Sequence, residues 1–266
     1  MLKIISAYKQ GIDALQNKKK HTGFINISSS YPFFSEEPVR EYCERYIASK
    51  NLGAYAEWGS GQFSNFLFFL GDRLLQYNLM AFCRRQRDTA LIECDVVSDI
   101  LTQKIKETID GNPALRFLRW QDIAEKPDFQ ITLEAVRNYS NENQRFAQQC
   151  TSLTAAGIRN RLKYVKQVCG KKSSKNALDI AKQYAVDGIA MNLYAYKDWP
   201  VSVSKYELPC VIKSIYNNEY PELSKALEIS DSIGHIQAVH ENETIYATFY
   251  DNDFERLVQD ASKTRS

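Results

Sequence analysis

The chain has 266 residues, a formal net charge of +2 and a hydrophobic content of 44%. These values suit one α/β domain over residues 1–266 with a loose tail at 261–266, and no internal repeat or low-complexity segment is visible. No apolar run of 18 residues is present, and segment 1–20 lacks the continuous apolar core of a signal peptide. We therefore expect a cytoplasmic protein without membrane contact.

The cysteines predict neither a metal centre nor a disulfide framework. No Cys-x-x-Cys pair is present, and no histidine lies beside a cysteine. We expect ordinary reduced thiols, mostly buried, at Cys43, Cys83, Cys94, Cys150, Cys169 and Cys210.

Residues 24–28 predict a short buried strand, because apolar residues surround Ile25 and Ile27 and a polar run begins at Ser28. In an open α/β sheet, ligands bind at the carboxyl ends of the strands. Ser28 is therefore a candidate site residue, although from spacing alone a serine that starts a loop is more often a cap for a backbone amide.

The next three segments alternate in predicted type. Helical spacing of apolar residues predicts a helix over 36–49, and alternation predicts a second strand over 52–58. Residues 63–82 read as a long apolar helix interrupted by Gly71, whose aromatic stripe belongs in the core.

The middle of the chain continues this alternation. Apolar residues recur at near-helical intervals over 89–109, and the turn residues 110–113 end that helix. A third short strand is predicted over 115–120 and a helical stretch over 129–164. Strands that alternate with helices indicate an α/β fold.

Basic residues form two clusters, although the net charge is small. The first contains Arg73, Arg84, Arg85 and Arg87, and the second contains Arg159, Arg161, Lys163, Lys166, Lys171, Lys172 and Lys175. A charge run is often a solvated face, but cations that share a face bind phosphate strongly.

Several segments resemble the cyclodipeptide synthases. Ile25-Asn26-Ile27-Ser28, followed seven residues later by Ser35 with Phe34 before it, is similar to the family signature, in which the nucleophilic serine takes the place of Ser28. The middle helices of the family resemble residues 120–129, Arg145-Phe146-Ala147 with Cys150, and Arg159-Asn160-Arg161. The resemblance covers residues 20 to 225, approximately.

Tyr184 takes the position of a family tyrosine that helps to hold the amino group of the substrate. The family has a glutamate four residues later, one helical turn away, but Gly188 stands at that position here. Asp187 is adjacent and is one possible source of the carboxylate. Tyr194 with Asp198 imitates the same spacing and remains an alternative, although the upstream helix favours Tyr184.

Tyr206 resembles the second conserved tyrosine of the family. The residue after it is Glu207, where histidine or proline is common, and Tyr220, which precedes a proline, is a competing match. Tyr31 stands where one subgroup carries asparagine, which argues against that subgroup.

The resemblance implies a Rossmann-like domain with a mostly parallel sheet flanked by helices, related to class I tyrosyl- and tryptophanyl-tRNA synthetases. It implies a ping-pong use of two aminoacyl-tRNAs per cycle, through an aminoacyl group on Ser28 and a dipeptidyl intermediate, to make a cyclic dipeptide. Neither a cofactor nor a protein partner is expected, so we expect a monomer. The residues implied are catalytic Ser28, Tyr184, Tyr206 and Asp187; substrate-binding Phe24, Asn26, Tyr31, Tyr55 and Glu207; and tRNA-binding Arg73, Arg84, Arg85 and Arg87. We expect two amino-acid pockets, one of them near both Phe24 and Tyr55.

Two other functions are compatible with the sequence. Gly188 and Glu207 are departures from the family, so the chain could be a tRNA- or RNA-binding module without chemistry. Residues 171–175 faintly imitate the ATP loop of the synthetases, but no His-x-Gly-His follows the first strand and no glycine-rich phosphate fingerprint is present, so ATP-dependent activation ranks lower.

Overall fold

The computed structural model describes residues 2–28, 41, 51–83, 85–152, 177–229 and 232–240. The strands are β1 (Leu2–Lys9), β2 (Thr22–Ser28), β3 (Asn65–Gly71), β4 (Leu115–Arg119), β5 (Val201–Ser204) and β6 (Gly234–His240). The helices are α1 (Gln10–Gln16), α2 (Leu52–Gln62), α3 (Leu75–Cys83), α4 (Arg87–Ile109), α5 (Trp120–Ile123), α6 (Pro127–Glu142), α7 (144–152), α8 (Ala177–Asp198), α9 (Cys210–Tyr216) and α10 (Pro221–Ala226).

The six strands form one sheet in the order β1-β6-β5-β2-β3-β4. Strands β2 to β6 are parallel to one another, and β1 pairs with β6 in the antiparallel direction. This confirms the predicted α/β, Rossmann-like architecture with a mostly parallel sheet flanked by helices.

Each face of the sheet packs against its own hydrophobic core. Phe24 on β2 and Phe69 on β3 face one core, to which α6 and α8 also contribute. Ile25 on β2 and Phe68 on β3 face the other core, with α2 and α4. Alternate residues of a strand point to opposite faces, so these central strands are apolar on both sides.

Two predicted elements have the wrong type. Residues 52–58 belong to helix α2, and the segment 63–82 contains strand β3 before helix α3 begins at Leu75. A short, continuous apolar run fits a strand buried on both faces as well as it fits a buried helix, which explains the second error. Gly59 explains part of the first: a Cβ atom there would overlap the Phe66 ring, so the glycine allows α2 to lie close to β3.

Other predicted elements agree with the structure. The strand at 24–28, the helix at 89–109 and the strand at 115–120 are confirmed within two residues at each end. The helical stretch predicted from residue 129 is broken at Asn143 and is helical again to 152; its remainder lies outside the described residues, as does the helix predicted over 36–49 apart from residue 41.

The sheet has a topological switch point at β2. From β2 the chain proceeds to β3 and β4 on one side, and later to β5 and β6 on the other. In open α/β sheets, the crevice at such a point, outside the carboxyl ends of the strands, is where ligands bind. Ser28 is the last residue of β2, and therefore stands at this crevice.

Candidate active site at the carboxyl edge of the sheet

The ends of three parallel strands define the crevice. Ser28 pairs in register with Gly71, the last residue of β3, and β5 on the opposite side of β2 ends at Ser204. Tyr206 follows β5 after one further residue. The strand topology therefore brings Ser28 and Tyr206, which are far apart in sequence, to the same edge of the sheet.

Helix α8 runs antiparallel to β2 across one face of the sheet. The Thr22 hydroxyl donates to the carbonyl of Asp198 at 2.8 Å, and Asn26 Nδ2 donates to Asn192 Oδ1 at 2.6 Å. A helix rises about 1.5 Å and a strand about 3.3 Å per residue, so Gly188 lies level with Ser28. Tyr184 then stands one turn further, beyond the end of the strand.

Gly188 leaves open space where the family has a carboxylate. Among the described residues, a Cβ atom built there would meet only Leu74 Cδ1, at 3.8 Å, within a 4 Å radius. Tyr184 is partly buried against the core formed by α6 and α8. The structure therefore sets Tyr184 on a helix, as predicted, with an unfilled position one turn after it.

Asp187 belongs to a group that we call the charged network, formed by the buried side chains of Tyr77 and Asp187 and the partly exposed side chain of Arg137. Arg137 binds the carboxylate with Nε at 2.8 Å and Nη2 at 2.7 Å, and the Tyr77 hydroxyl donates to the same carboxylate. Asp187 is 1% exposed. Burial, followed by the nearby Asp187 charge, raises the pKa of Tyr77 above its ordinary value, so Tyr77 is a donor. As it stands, Asp187 can act on a substrate only through these partners.

Asp198 does not replace Asp187. Its backbone carbonyl accepts a hydrogen bond from Thr22, the first residue of β2. Asp198 therefore lies at the amino end of this strand, whereas Ser28 is at its carboxyl end. Tyr194 is 8% exposed and packs edge-on against Phe129. Tyr194 and Asp198 therefore do not lie beside Ser28, and the alternative pair is wrong.

A second buried group, the neutral network, consists of Tyr196, Ser202, His235 and the Tyr206 carbonyl. His235 Nε2 donates to the Tyr206 carbonyl at 2.8 Å, so its Nδ1 accepts from Ser202 Oγ at 2.7 Å. Ser202 has one proton, and Tyr196 therefore donates to it at 2.5 Å. Burial lowers the pKa of His235 to about 4, only partly opposed by the bond to Tyr206, so the imidazole is neutral.

The turn that carries Tyr206 is held from several sides. The Tyr206 amide donates to Ser204 Oγ at 3.0 Å, and Gln237 Nε2 donates to the Lys205 carbonyl at 3.1 Å. His235 and Gln237 are alternate residues of β6 that face the same side. Strand β6 therefore fixes the backbone on which Tyr206 stands, which nothing in the sequence indicated.

The competing tyrosine has a structural role. Tyr220 is 1% exposed, its hydroxyl donates to Gln149 Oε1 at 2.7 Å, and its ring lies edge-on to Phe146. Tyr206 is only partly buried at the carboxyl edge, and Glu207 beside it is exposed. The geometry therefore favours Tyr206 over Tyr220.

Two predicted substrate contacts lie on different faces of the sheet. Phe24 packs edge-on against Tyr196 in one core, whereas Tyr55 lies in the other and donates its hydroxyl to the Ala238 carbonyl at 2.8 Å. The expectation of one pocket near both residues is therefore wrong. Asn26 lies on the α8 side with Phe24, and Tyr31 lies outside the described residues.

An ion pair at this edge was missed. Asp72 directly follows β3, and Arg119, the last residue of β4, donates Nε to its Oδ2 at 3.1 Å and Nη1 to Asp99 at 3.0 Å. Burial raises the pKa of Asp72, although Arg119 opposes the shift. Recognition of β3 as a strand would have placed Asp72 at its carboxyl end.

Two of the three described arginines of the first basic cluster form ion pairs. Arg73 forms an ion pair with Asp95 at 3.1 Å, and Arg85 forms one with Glu93 at 2.8 Å. Arg87 is exposed in the first turn of α4. Arg84 and the second cluster, residues 159–175, lie outside the described residues, as does the loop at 171–175.

The described residues offer no metal centre, and three of their cysteines are free thiols. Within the described ranges, no group of three or more potential metal ligands is present, and no helix is long and apolar enough to cross a bilayer. Cys94 and Cys150 are buried free thiols whose pKa burial raises to about 12, and Cys210 is exposed.

The fold is similar to that of solved cyclodipeptide synthases. No protein-family model and no curated protein matches the chain. A synthase from Fluoribacter dumoffii aligns with a TM-score of 0.61 at 9% identity over 90% of this chain and 98% of its own. One from Bacillus thermoamylovorans aligns at 0.60 with 16% identity (87% and 93% covered), and one from Candidatus Glomeribacter gigasporarum, bound to Phe-tRNAPhe, at 0.57 with 15% (88% and 94%). The predicted resemblance is thus confirmed for the fold: this chain has the fold of the cyclodipeptide synthases over nearly its whole length.

Proposed function

We propose that this protein is a tRNA-dependent cyclodipeptide synthase. The observation that carries the proposal is the coincidence of a full-length fold match with a serine, Ser28, at the topological switch point of the sheet. Tyr184 and Tyr206, which the sequence resemblance selects independently, come from α8 and from the turn after β5, both beside that point.

The proposed reaction proceeds in three acyl transfers. The Ser28 hydroxyl oxygen attacks the ester carbonyl of the first aminoacyl-tRNA, the ester bond to the ribose breaks, and the proton goes to the ribose oxygen. The amino group of the second aminoacyl-tRNA then attacks the ester on Ser28, which forms a dipeptidyl-tRNA and returns a proton to the serine. Finally, the free amino group attacks the remaining ester, the bond to the ribose breaks, and the amine proton goes to the ribose oxygen, so that the diketopiperazine ring closes and tRNA leaves.

A strong general base at Ser28 is not required by this chemistry. The substrate ester is already activated, and the adjoining ribose hydroxyl can carry protons. Tyr184 would hold the amino group of the substrate. Tyr206 would position the dipeptide or relay a proton during ring closure, and the neutral network behind it would keep its backbone in place.

Asp187 would contribute through the charged network rather than by direct contact. Its carboxylate orients Arg137 and Tyr77, which join α6 and α3 to α8. Such an arrangement would keep the helix that carries Tyr184 at a fixed height over β2.

The tRNA would bind mainly through its backbone, which lysine and arginine side chains contact without reading sequence. Arg73, Arg84, Arg85 and Arg87 remain the proposed contacts. Of the three that are described, Arg87 supports this best, because the charges of Arg73 and Arg85 are already paired with carboxylates.

The test is expression in a bacterial host followed by mass spectrometry of the medium and of the intact protein. Wild type should release a cyclic dipeptide, and Ser28→Ala should release none. Trapping with aminoacyl-tRNA should add one aminoacyl mass to wild type at Ser28 and nothing to the variant. Absence of both products from a folded wild-type protein would refute the proposal.

The second candidate is a tRNA-binding module without chemistry, which the open space at Gly188 favours. Such a protein would retain tRNA on purification, with an affinity that Ser28→Ala does not change, and would form no adduct at Ser28. The adduct therefore separates the two functions.

A further inference from the structure

The orientation of the Asn26 amide is fixed by a chain of hydrogen bonds. Asn192 Nδ2 donates to the Gly188 carbonyl at 2.7 Å, and a carbonyl can only accept. Asn192 Oδ1 is therefore the acceptor for Asn26 Nδ2 at 2.6 Å. The carbonyl oxygen of the Asn26 amide, Oδ1, must then point away from Asn192.

That oxygen is buried and has no hydrogen-bond partner in the described structure. An unsatisfied buried acceptor costs about 1 to 3 kcal/mol, so its presence calls for an explanation. The other three unpartnered atoms of this kind are hydroxyls of Ser98, Thr102 and Ser140 on helices α4 and α6. Among the described side chains, Asn26 alone presents such an atom on β2.

The surroundings of Asn26 suit a ligand that donates. Ser28 is two residues further along the same strand, so that about 6.6 Å separates the two backbone positions. Gly188, which anchors the amide chain, is also the position that lacks a side chain. The nearby Asp187 carboxylate is already bound by Arg137 and Tyr77.

We propose, building on the function above, that Asn26 Oδ1 accepts a hydrogen bond from the α-amino group of the aminoacyl residue esterified to Ser28. The amide takes over the contact that a carboxylate at position 188 would make. A neutral acceptor also raises the pKa of the amine less than a carboxylate does, and only the neutral amine can attack in the ring-closing step.

The experiment compares loading with and without the α-amino group. Total bacterial aminoacyl-tRNA identifies the amino acid loaded on Ser28 from the mass shift. Acylation rates are then measured with that amino acid and with its desamino acid on the same tRNA, for wild type, Asn26→Leu and the control Thr102→Val, which removes an unpartnered hydroxyl from the other face.

Wild type and Thr102→Val should favour the aminoacyl substrate by the same factor. Asn26→Leu should reduce that factor about tenfold or more, because only the aminoacyl substrate has the amino group that the lost acceptor binds. A loss of fold would lower both rates and leave their ratio unaltered. The rate with the desamino substrate reveals such a loss. If the ratio is unchanged and the adduct still forms, the partner of Asn26 Oδ1 is a bound water, and this inference alone is overturned. No adduct from any substrate in wild type would refute the proposed function, and this inference with it.

Discussion

The charged and neutral networks both provide partners for buried polar atoms, but they do so with different kinds of bond. Both bury polar atoms beside α8, the first at Asp187 and the second at Tyr196. The charged network joins three helices through an ion pair, so each partner depends on the charge of the other. The neutral network joins α8, β5 and β6 through a directed series of donors, so it depends on the protonation state of one imidazole. We therefore expect the removal of a charge to destabilise the charged network, and acidic pH to destabilise the neutral network.

The largest effect is expected from Arg137→Met. The substitution leaves the Asp187 carboxylate buried without its cation, and breaking a buried pair costs about 3 to 5 kcal/mol. The Arg137 side chain is 45% exposed, which favours the lower end of this range. Urea unfolding measures the loss, and the double variant Arg137→Met with Asp187→Leu should recover part of it. Equal stability of wild type and Arg137→Met would show that the carboxylate is not a buried charge.

The second prediction concerns the pH dependence of the neutral network. The pKa of His235 is lowered to about 4 in the folded protein from an ordinary value of 6.5. As the pH falls below 6.5, the unfolded chain binds a proton that the folded chain does not, so stability present above pH 6.5 is lost towards pH 4. The loss from this group approaches about 3 kcal/mol at pH 4. Unfolding free energies of wild type and His235→Gln, measured from pH 7 to 4, should therefore converge in acid; parallel curves would contradict the prediction.

A smaller effect is expected from Tyr77→Phe. The ring stays in the core and only the hydroxyl that donates to Asp187 is lost. A hydrogen bond to a charged group contributes about 2 kcal/mol. Tyr139→Phe is a matched control, because that hydroxyl bonds with Glu222 at the surface and should contribute less than about 1 kcal/mol. If Tyr77→Phe costs no more stability than the control, Arg137 alone stabilises the Asp187 carboxylate.

The sequence predicted the parts of this site that lie within one element. The strand ending at Ser28 follows from local periodicity, which does not depend on the rest of the chain, and the helix carrying Tyr184 was implied by the family resemblance. The prediction of a helix at β3 was wrong, because a run of apolar residues buried on both faces of a sheet shows no alternation of apolar and polar residues.

What could not be predicted are contacts between distant elements. His235 reaches the Tyr206 carbonyl from 29 residues further along the chain, and Arg137 reaches Asp187 across 50. Periodicity places such residues on a face but does not say what they meet. The same limitation left Phe24 and Tyr55 together in one expected pocket, although the sheet separates them.

Gly188→Ala should have the smallest effect, and the opposite sign. Glycine in a helix interior costs about 1 kcal/mol relative to alanine. Within the part of the chain that the structure describes, the added Cβ meets only Leu74 Cδ1 at 3.8 Å, an ordinary contact. The variant should therefore unfold at higher urea concentration than wild type. Gly59→Ala, also within a helix, is the matched control and should be destabilising because its Cβ overlaps the Phe66 ring. If Gly188→Ala is destabilising as well, the space beside Asn192 is filled in the folded protein. If it is stabilising yet slows acylation of Ser28, that space is kept open for the substrate, because a methyl group without polar atoms can interfere there only by its volume.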